Sequence, residues 1–286
     1  MFPLFCGSRR SACRLCLLLQ RHWLLDDDGA INLRAALPTA LARQCLASNL
    51  PKDEAMLALN ARPEPVGIVP AQTAIIVVDM QNAFASAGGM FDLAGLDISG
   101  AAPAIEANKR LLAAARAAGV TVVYLQMSYR PDLGDAGDPS SPNYHKELGM
   151  VLMRERPELR GKLLIDNSWD WQIVDALKPE RGDHVIRKSR YSGFCNTGLE
   201  AHLRARKIRH LLFTGVATNV CVDATARDAY MLEFWPILVE DAMNHSGPDF
   251  NRQSTLWNFE NAFGWVIRTD MVVDALRITA AAALPA

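Results

Sequence analysis

Three residues of complementary chemistry each follow a segment that reads as a strand. Asp79 follows Thr73-Ala-Ile-Ile-Val-Val78, Lys188 follows His184-Val-Ile-Arg187, and Cys221 lies just beyond His210-Leu-Leu-Phe-Thr214. A thiol, a carboxylate and a fixed cation form the set needed to make and hold a thiolate near neutral pH, so the chemistry in prospect is nucleophilic attack by sulfur. Cys221 stands in Phe213-Thr-Gly-Val-Ala-Thr-Asn-Val-Cys-Val222, which reads as a strand end, a Gly-containing turn and the first turn of a helix capped by Thr218 or Asn219. A thiol placed there faces unpaired backbone N–H groups and the positive end of the helix dipole, both of which favour thiolate. The same turn can aim two backbone donors, the N–H groups of Ala217 and Cys221, at an oxygen that becomes negative as the sulfur attacks a carbonyl. Singly each residue has a bland reading. Cys221 can be a small buried hydrophobe, Asp79 a turn cap and Lys188 a surface charge. Their shared position behind strands argues for convergence.

The elements that would position them alternate regularly. Strands are expected at 73–78, 120–126, 184–187, 210–214, 236–239 and 265–267. Helices are expected at 102–118, with Pro103 in the first turn and Gly119 past the end, and at 144–155, 168–176, 197–206, 221–233 and 250–263. Such alternation implies βαβ units, hence an α/β fold: a three-layer, doubly wound, Rossmann-like and mostly parallel six-stranded sheet with helices on both faces. In open sheets of this kind ligands bind beyond the carboxyl ends of the strands, where strand order reverses. The long connection from Met127 to Asn167, rich in Gly and Pro, reads as a lid or binding loop.

Composition narrows the function classes. With 50% hydrophobic and 21% charged among 286 residues, and 30 basic against 31 acidic, the chain is an ordinary globular one without a polyanion-binding charge pattern. The partner implied is a small-molecule substrate, with neither nucleic acid nor membrane. No apolar run approaches the roughly 18 residues of a membrane span. Cysteines at positions 6, 13, 16, 45, 195 and 221 show no paired framework, which fits a reducing cytoplasm. Residues 1–55 are read as an N-terminal extension, with a disordered tail or upstream non-native start, an extra helical segment, and a targeting sequence as the alternatives; the patterned domain covers 56–286.

Specific segments then point to a family. Ile76-Val-Val-Asp79-Met-Gln-Asn82, Lys188 before Arg190-Tyr-Ser-Gly-Phe194, and Gly215-Val-Ala-Thr-Asn-Val-Cys221 resemble the three signature segments of the isochorismatase-like cysteine hydrolases, over about residues 60–278. Within that superfamily the chain is most similar to the ureidoacrylate amidohydrolases of pyrimidine degradation. Gly88-Gly-Met-Phe-Asp-Leu-Ala-Gly95, Ser141-Pro-Asn-Tyr-His-Lys146, Gly161-Lys-Leu-Leu164, Ser168-Trp-Asp170, Phe259-Glu260 and Phe263-Gly-Trp265 carry this second resemblance. The superfamily resemblance implies that Asp79 takes the thiol proton, Lys188 steadies the charges, and Cys221 attacks the carbonyl. It also implies a cis peptide between Val216 and Ala217, which turns the Ala217 N–H into the site.

The implied chemistry gives no cofactor a task. The Asp-x-His pair of the metal-dependent nicotinamidases is missing between 127 and 167, where His145 is the only histidine, so no bound metal is expected. Gln126, Asn143, Arg190 and Tyr191 are candidates by position for substrate binding, each with a loop-stabilising hydrogen bond as its alternative. Trp169, Trp171, Trp257 and Trp265 read as packing or interface residues. The superfamily implies a homo-oligomer. Two alternatives stay open: another metal-free cysteine amidohydrolase, of the N-carbamoyl amino acid type, and a catalytically idle relative that binds or scaffolds.

Overall fold

The run Thr73–Val78 is buried at every residue and occupies an interior position of a six-stranded sheet, as a strand without polar alternation must. Covering each of its Ile and Val side chains contributes about 1.5–3 kcal/mol. The structure is a computed structural model. It describes residues 56–282, all within the compact unit Asp53–Ala286. The readings offered for residues 1–55 lie outside the described residues.

A short antiparallel hairpin, β1 (Leu57–Leu59) and β2 (Val66–Ile68), precedes β3 (Thr73–Val78). Two one-turn helices, α1 (Asn82–Ala85) and α2 (Met90–Leu93), lead to α3 (Ala101–Ala117) and β4 (Thr121–Met127). The long connection holds α4 (Pro142–Lys146) and α5 (Leu148–Glu155) before β5 (His184–Lys188). Then follow α6 (Leu199–Ala205), β6 (His210–Val216), α7 (Asp223–Met231), β7 (Trp235–Asn244), α8 (Asp249–Asn258), β8 (Trp265–Ile267) and α9 (Thr269–Ala282). The large sheet runs β5-β4-β3-β6-β7-β8, and every neighbouring pair is parallel. One face packs on α3 and α9 through Leu111, Leu112, Ala115, Val272 and Leu276. The other packs on α6 and α7 through Leu199, Leu203, Ala226 and Ala229. This is the three-layer doubly wound architecture expected. The chain builds outward from β3 to β5, then returns to lay β6 on the other side of β3, so the reversal falls between β3 and β6.

Three local expectations need correction, and two further features gave no signal. No α-helix forms over 168–176, where the only helical piece is a short 3-10 turn at Asp175–Leu177. Ser168 Oγ accepts the Trp171 N–H and so caps a single turn, but the carbonyls a helix would use are taken elsewhere. The Asp170 and Gln172 carbonyls accept from Ala83 and Asn82, and the Trp171 carbonyl from the side chains of Gln81 and Gln126. The helix expected at 144–155 breaks at Glu147, whose backbone is extended, into α4 and α5. The helix expected to run to 263 ends at Asn258, and Phe259–Phe263 is a π turn. Finally, the β1–β2 hairpin and α9 carried no signal in the sequence reading. The hairpin strands have only three residues each, and the apolar positions of α9 merge into an Ala-rich terminus.

Candidate active site

The reversal between β3 and β6 brings the ends of two strands together, and two backbone features make that contact close. Gly215 in β6 has φ +104, and a Cβ there would lie 1.9 Å from the Val78 carbonyl oxygen, so only glycine lets the strands meet. Asp79 has φ +48, a left-handed conformation that Asp tolerates better than most residues. It still holds the sheet, donating its N–H to the Leu125 carbonyl at 2.9 Å.

Its side chain is completely buried, as is that of Lys188 from the end of β5, and Lys188 Nζ donates to Asp79 Oδ2 at 2.6 Å. The other carboxylate oxygen accepts the Met127 N–H at 3.0 Å. Lys188 also donates to the Arg190 carbonyl at 3.2 Å. Cys221 is buried, and its thiol lies close enough to Asp79 and Lys188 for the three groups to shift one another's proton affinity. The structure therefore brings together Asp79, Lys188 and Cys221, which lie far apart in the sequence.

Electrostatics in this dry site differ from the sequence reading. Burial pushes the Cys221 thiol well above its ordinary range; Lys188 pulls it back, and Asp79 adds to the rise. Helix-end stabilisation of a thiolate does not prevail in the resting site. Burial also raises Asp79, an effect that Lys188 only partly offsets. Lys188, against a burial effect that lowers it, is held above its usual value by Asp79 and Cys221. A protonated thiol thus faces a carboxylate whose proton affinity is itself raised.

The turn that carries Cys221 is built differently from a capped helix start. Thr218–Val222 is a π turn running into α7, and neither Thr218 nor Asn219 caps it. Asn219 instead exchanges hydrogen bonds with the backbone of Ser246, and the Thr218 hydroxyl is buried without a partner. The Ala217 carbonyl accepts the N–H groups of Val220 and Val222 and passes over that of Cys221 between them. The Val216–Ala217 peptide is cis. From α7, Thr225 Oγ1 donates to the Cys221 carbonyl at 2.6 Å and accepts the Gly193 N–H at 3.0 Å. This hydroxyl ties the nucleophile turn to the loop that follows Lys188.

The four candidates for substrate contact are placed unequally. Gln126 is buried, with Nε2 on the Trp171 carbonyl at 2.9 Å. Asn143 donates to Tyr129 Oη at 3.1 Å and to the Ala136 carbonyl at 2.8 Å. Arg190 Nη1 donates to the carbonyls of Asp135 and Ser189. Its side chain lines a cavity of about 530 Å³ together with Arg130, Arg187, Ser128 and Asn196; Lys188 touches that cavity, whereas Asp79 and Cys221 do not line it. Tyr191 is partly exposed, and burial together with the neighbouring Glu147 and Cys221 raises its hydroxyl to about 12. His145, exposed, contacts the Pro139 carbonyl. Trp169 and Trp257 are exposed, and Trp265 stacks on Trp235.

Sequence reasoning missed Gln81, Tyr129 and Glu147. Gln81 accepts the Met127 N–H and donates to the carbonyls of Met127 and Trp171, bracing the strand end beside Asp79. It lies within a quoted motif, so its placement two residues past Asp79 was the signal. Tyr129 and Glu147 sit in the irregular connection, where no periodicity marks them. Among the described residues no three His, Cys, Asp or Glu side chains gather as metal ligands would, and no helix is long and apolar enough to cross a membrane.

A doubly wound parallel sheet that holds a thiol against a buried carboxylate–ammonium pair at its switch point defines a class of cysteine-bearing α/β hydrolases. The isochorismatase domain matches residues 73–271, and this chain belongs to that family. It is 54% identical over 218 residues to the ureidoacrylate amidohydrolase RutB of Cronobacter turicensis, covering 76% of this chain and 94% of that protein. Against the ureidoacrylate amidohydrolase RutB of Rhizobium rhizogenes the identity is 53% over 208 residues, covering 73% and 85%. Among solved structures, a cysteine hydrolase from Pseudomonas syringae pv. phaseolicola matches with TM-score 0.62 and 30% identity, over 74% of this chain and 95% of that one. N-carbamoylsarcosine amidase from Thermoplasma acidophilum matches with TM-score 0.53 and 27% identity, over 70% and 97%.

Proposed function

We propose that this chain hydrolyses ureidoacrylate, or its peracid, to aminoacrylate and carbamate, using Cys221 as nucleophile. The observation that carries the reading is the identity of about half to ureidoacrylate amidohydrolases over up to 97% of their length, in a chain whose Asp79, Lys188 and Cys221 converge in one buried site.

In this reading Asp79 accepts the Cys221 proton as Sγ bonds to the carbamoyl carbon. The carbonyl electron pair moves onto oxygen, where the N–H groups of Ala217 and Cys221 receive it; one such donor is worth about 10²–10³ in rate. Collapse breaks the C–N bond, and the proton held by Asp79 passes to the departing nitrogen, releasing aminoacrylate. A water that gives its proton to Asp79 then adds to the carbamoyl thioester. The S–C bond breaks, the thiol regains that proton, and the carbamate released decomposes to ammonia and carbon dioxide. General base action of this kind contributes about 10²–10⁴. Lys188 keeps Asp79 in position and its charge balanced throughout. Arg190, Tyr191, Asn143 and Gln126 supply the walls, with Arg190 suited to the acrylate carboxylate.

The same reading puts the enzyme in the cytoplasm, supported by the free Cys195 and Cys221 among the described residues. It also makes the enzyme a homo-oligomer, supported by the exposed apolar Met231, Phe250 and Trp257. A second reading, an N-carbamoyl amino acid hydrolase, draws on the likeness to N-carbamoylsarcosine amidase. Ammonia release from ureidoacrylate, an N-carbamoyl amino acid and nicotinamide, assayed in parallel with and without chelator, separates the two. Rapid release from ureidoacrylate, lost in Cys221→Ala, is the expected result. Preference for another amide would displace ureidoacrylate as the substrate.

A further inference from the structure

A short strap of chain joins the buried ammonium of Lys188 to the nucleophile turn. It begins where Lys188 Nζ donates to the Arg190 carbonyl at 3.2 Å, and it ends at Gly193, whose N–H donates to Thr225 Oγ1 at 3.0 Å. The same hydroxyl donates to the Cys221 carbonyl at 2.6 Å. One oxygen on α7 therefore ties the backbone of the nucleophile to the strap that leaves Lys188. A second bond holds the strap one turn further along α7, where Ser192 Oγ donates to Asp228 Oδ2 at 2.5 Å. Gly193 lies flat against its neighbours: a Cβ there would stand 2.3 Å from Leu125 Cδ1 on β4 and 3.2 Å from Thr225 Cγ2.

Packing alone does not call for a threonine at this position. Thr225 is wholly buried in a helix, where alanine has the higher propensity and a hydroxyl bonded to the carbonyl four residues back slightly destabilises the helix. Valine would fill nearly the same space without a polar group to satisfy. What the hydroxyl adds is a donor and an acceptor used at once, one toward Cys221 and one toward the strap. Lys188 ends β5 and Cys221 follows β6, and β4 and β3 lie between those two strands. Sheet hydrogen bonds thus connect the two residues only through two intervening strands. The Thr225 bridge connects them directly.

We propose, resting on the assignment of Cys221 as nucleophile, that Thr225 is a positioning residue: its hydroxyl fixes the nucleophile turn against the Arg190–Gly193 strap and so sets where the thiol stands relative to the Lys188 ammonium. Misplacement of a reacting group by about 1 Å lowers a rate by about 10²-fold. Loss of the hydroxyl therefore slows reactions of the Cys221 sulfur, whichever carbon it attacks.

Alkylation of Cys221 by iodoacetamide, followed by peptide mass spectrometry, reads the sulfur without reference to any substrate. The S–C bond forms, the C–I bond breaks and iodide leaves, while the thiol proton passes by way of Asp79 to solvent. Rates are measured on the full chain for the wild type, Thr225→Val and Thr225→Ser, with Cys221→Ala as the blank. Thr225→Val is expected to alkylate at least about tenfold more slowly, and Thr225→Ser, which keeps the hydroxyl, to recover to within roughly threefold of wild type. In turnover the valine variant should lose kcat by a similar factor with KM within about twofold. A merely structural tie gives the opposite sign, because loosening the turn exposes a buried thiol and speeds its alkylation. Should Thr225→Val melt too low to assay, Thr225→Ala, which places no methyl group against the Gly193 N–H, is read in the same way. Equal or faster alkylation without the hydroxyl, or a serine variant as slow as the valine one, would overturn the proposal. Absence of Cys221 alkylation in the wild type would remove the nucleophile assignment and this inference together. Thr225-dependent alkylation without ammonia release from ureidoacrylate would discard the substrate and uphold the role of Thr225.

Discussion

At the scale of the residue, the buried pair at the strand ends governs both stability and pH response. Lys188→Met leaves the Asp79 carboxylate fully buried without its cation, which should cost about 3–5 kcal/mol. In the Asp79→Asn/Lys188→Met double variant most of that loss should return while activity does not. Urea denaturation of the single and double variants measures this, and a loss below about 1 kcal/mol for Lys188→Met would show that the pair is not structurally important. Asp79 must be ionised to accept the thiol proton, and burial raises its pKa. Activity should therefore fall on the acid side at a pH above the ordinary carboxylate value near 4. A pH profile of kcat/KM whose acid limb lies at or below that value would contradict the assignment of Asp79 as base. Asp79 was legible because it follows an uninterrupted apolar run, Lys188 because it closes a short strand pattern, and Cys221 because it stands in the strand–turn–helix segment after His210–Thr214. Glu147 was not legible, since the break at which it caps α5, accepting the N–H groups of Gly149 and Met150, lies in a connection whose path no periodicity encodes. The state of the thiol was misjudged for a related reason: the sequence shows the helix that follows Cys221 but not the depth at which both lie.

At the scale of the element, the switch point depends on one glycine. Gly215→Ala would drive a methyl group into the Val78 carbonyl, 1.9 Å away, at a backbone angle that alanine rarely adopts. The expected outcome is destabilisation by about 2–3 kcal/mol in thermal or chemical melting, accompanied by loss of activity as the Asp79 and Cys221 strands part. A soluble Gly215→Ala protein with wild-type melting and turnover would show that the close approach is dispensable. The central strand β3 was legible because burial on both faces leaves an uninterrupted β-branched run; the edge-side β5, with alternating burial, was legible from its short run between loop residues. The segment 168–176 was not. A capping serine and two tryptophans look helical in isolation, yet its carbonyls serve Asn82, Ala83, Gln81 and Gln126 from other elements. Tertiary hydrogen bonding decided that segment against its local propensity.

At the scale of the whole molecule, folding and function share a pH range. His210, at the start of β6, is buried against Trp235 and held neutral, its pKa lowered to about 4 chiefly by burial. A depressed folded-state pKa gives stability that is present above the unfolded value near 6.5 and lost as pH falls through about 4. Between pH 7.5 and 5 this one group should cost the fold about 2 kcal/mol, a slope that His210→Phe should remove when denaturation curves of the two proteins are compared at both pH values. Identical slopes would show that His210 does not titrate with unfolding. The central claim, that Cys221 carries a carbamoyl group during turnover, is tested most directly by quenching the enzyme with acid while it turns over ureidoacrylate and mapping the modified peptide by mass spectrometry. One carbamoyl group on Cys221, absent from Cys221→Ala and from enzyme quenched before substrate, is the result predicted. Turnover without that adduct, and undiminished in Cys221→Ala, would contradict the account.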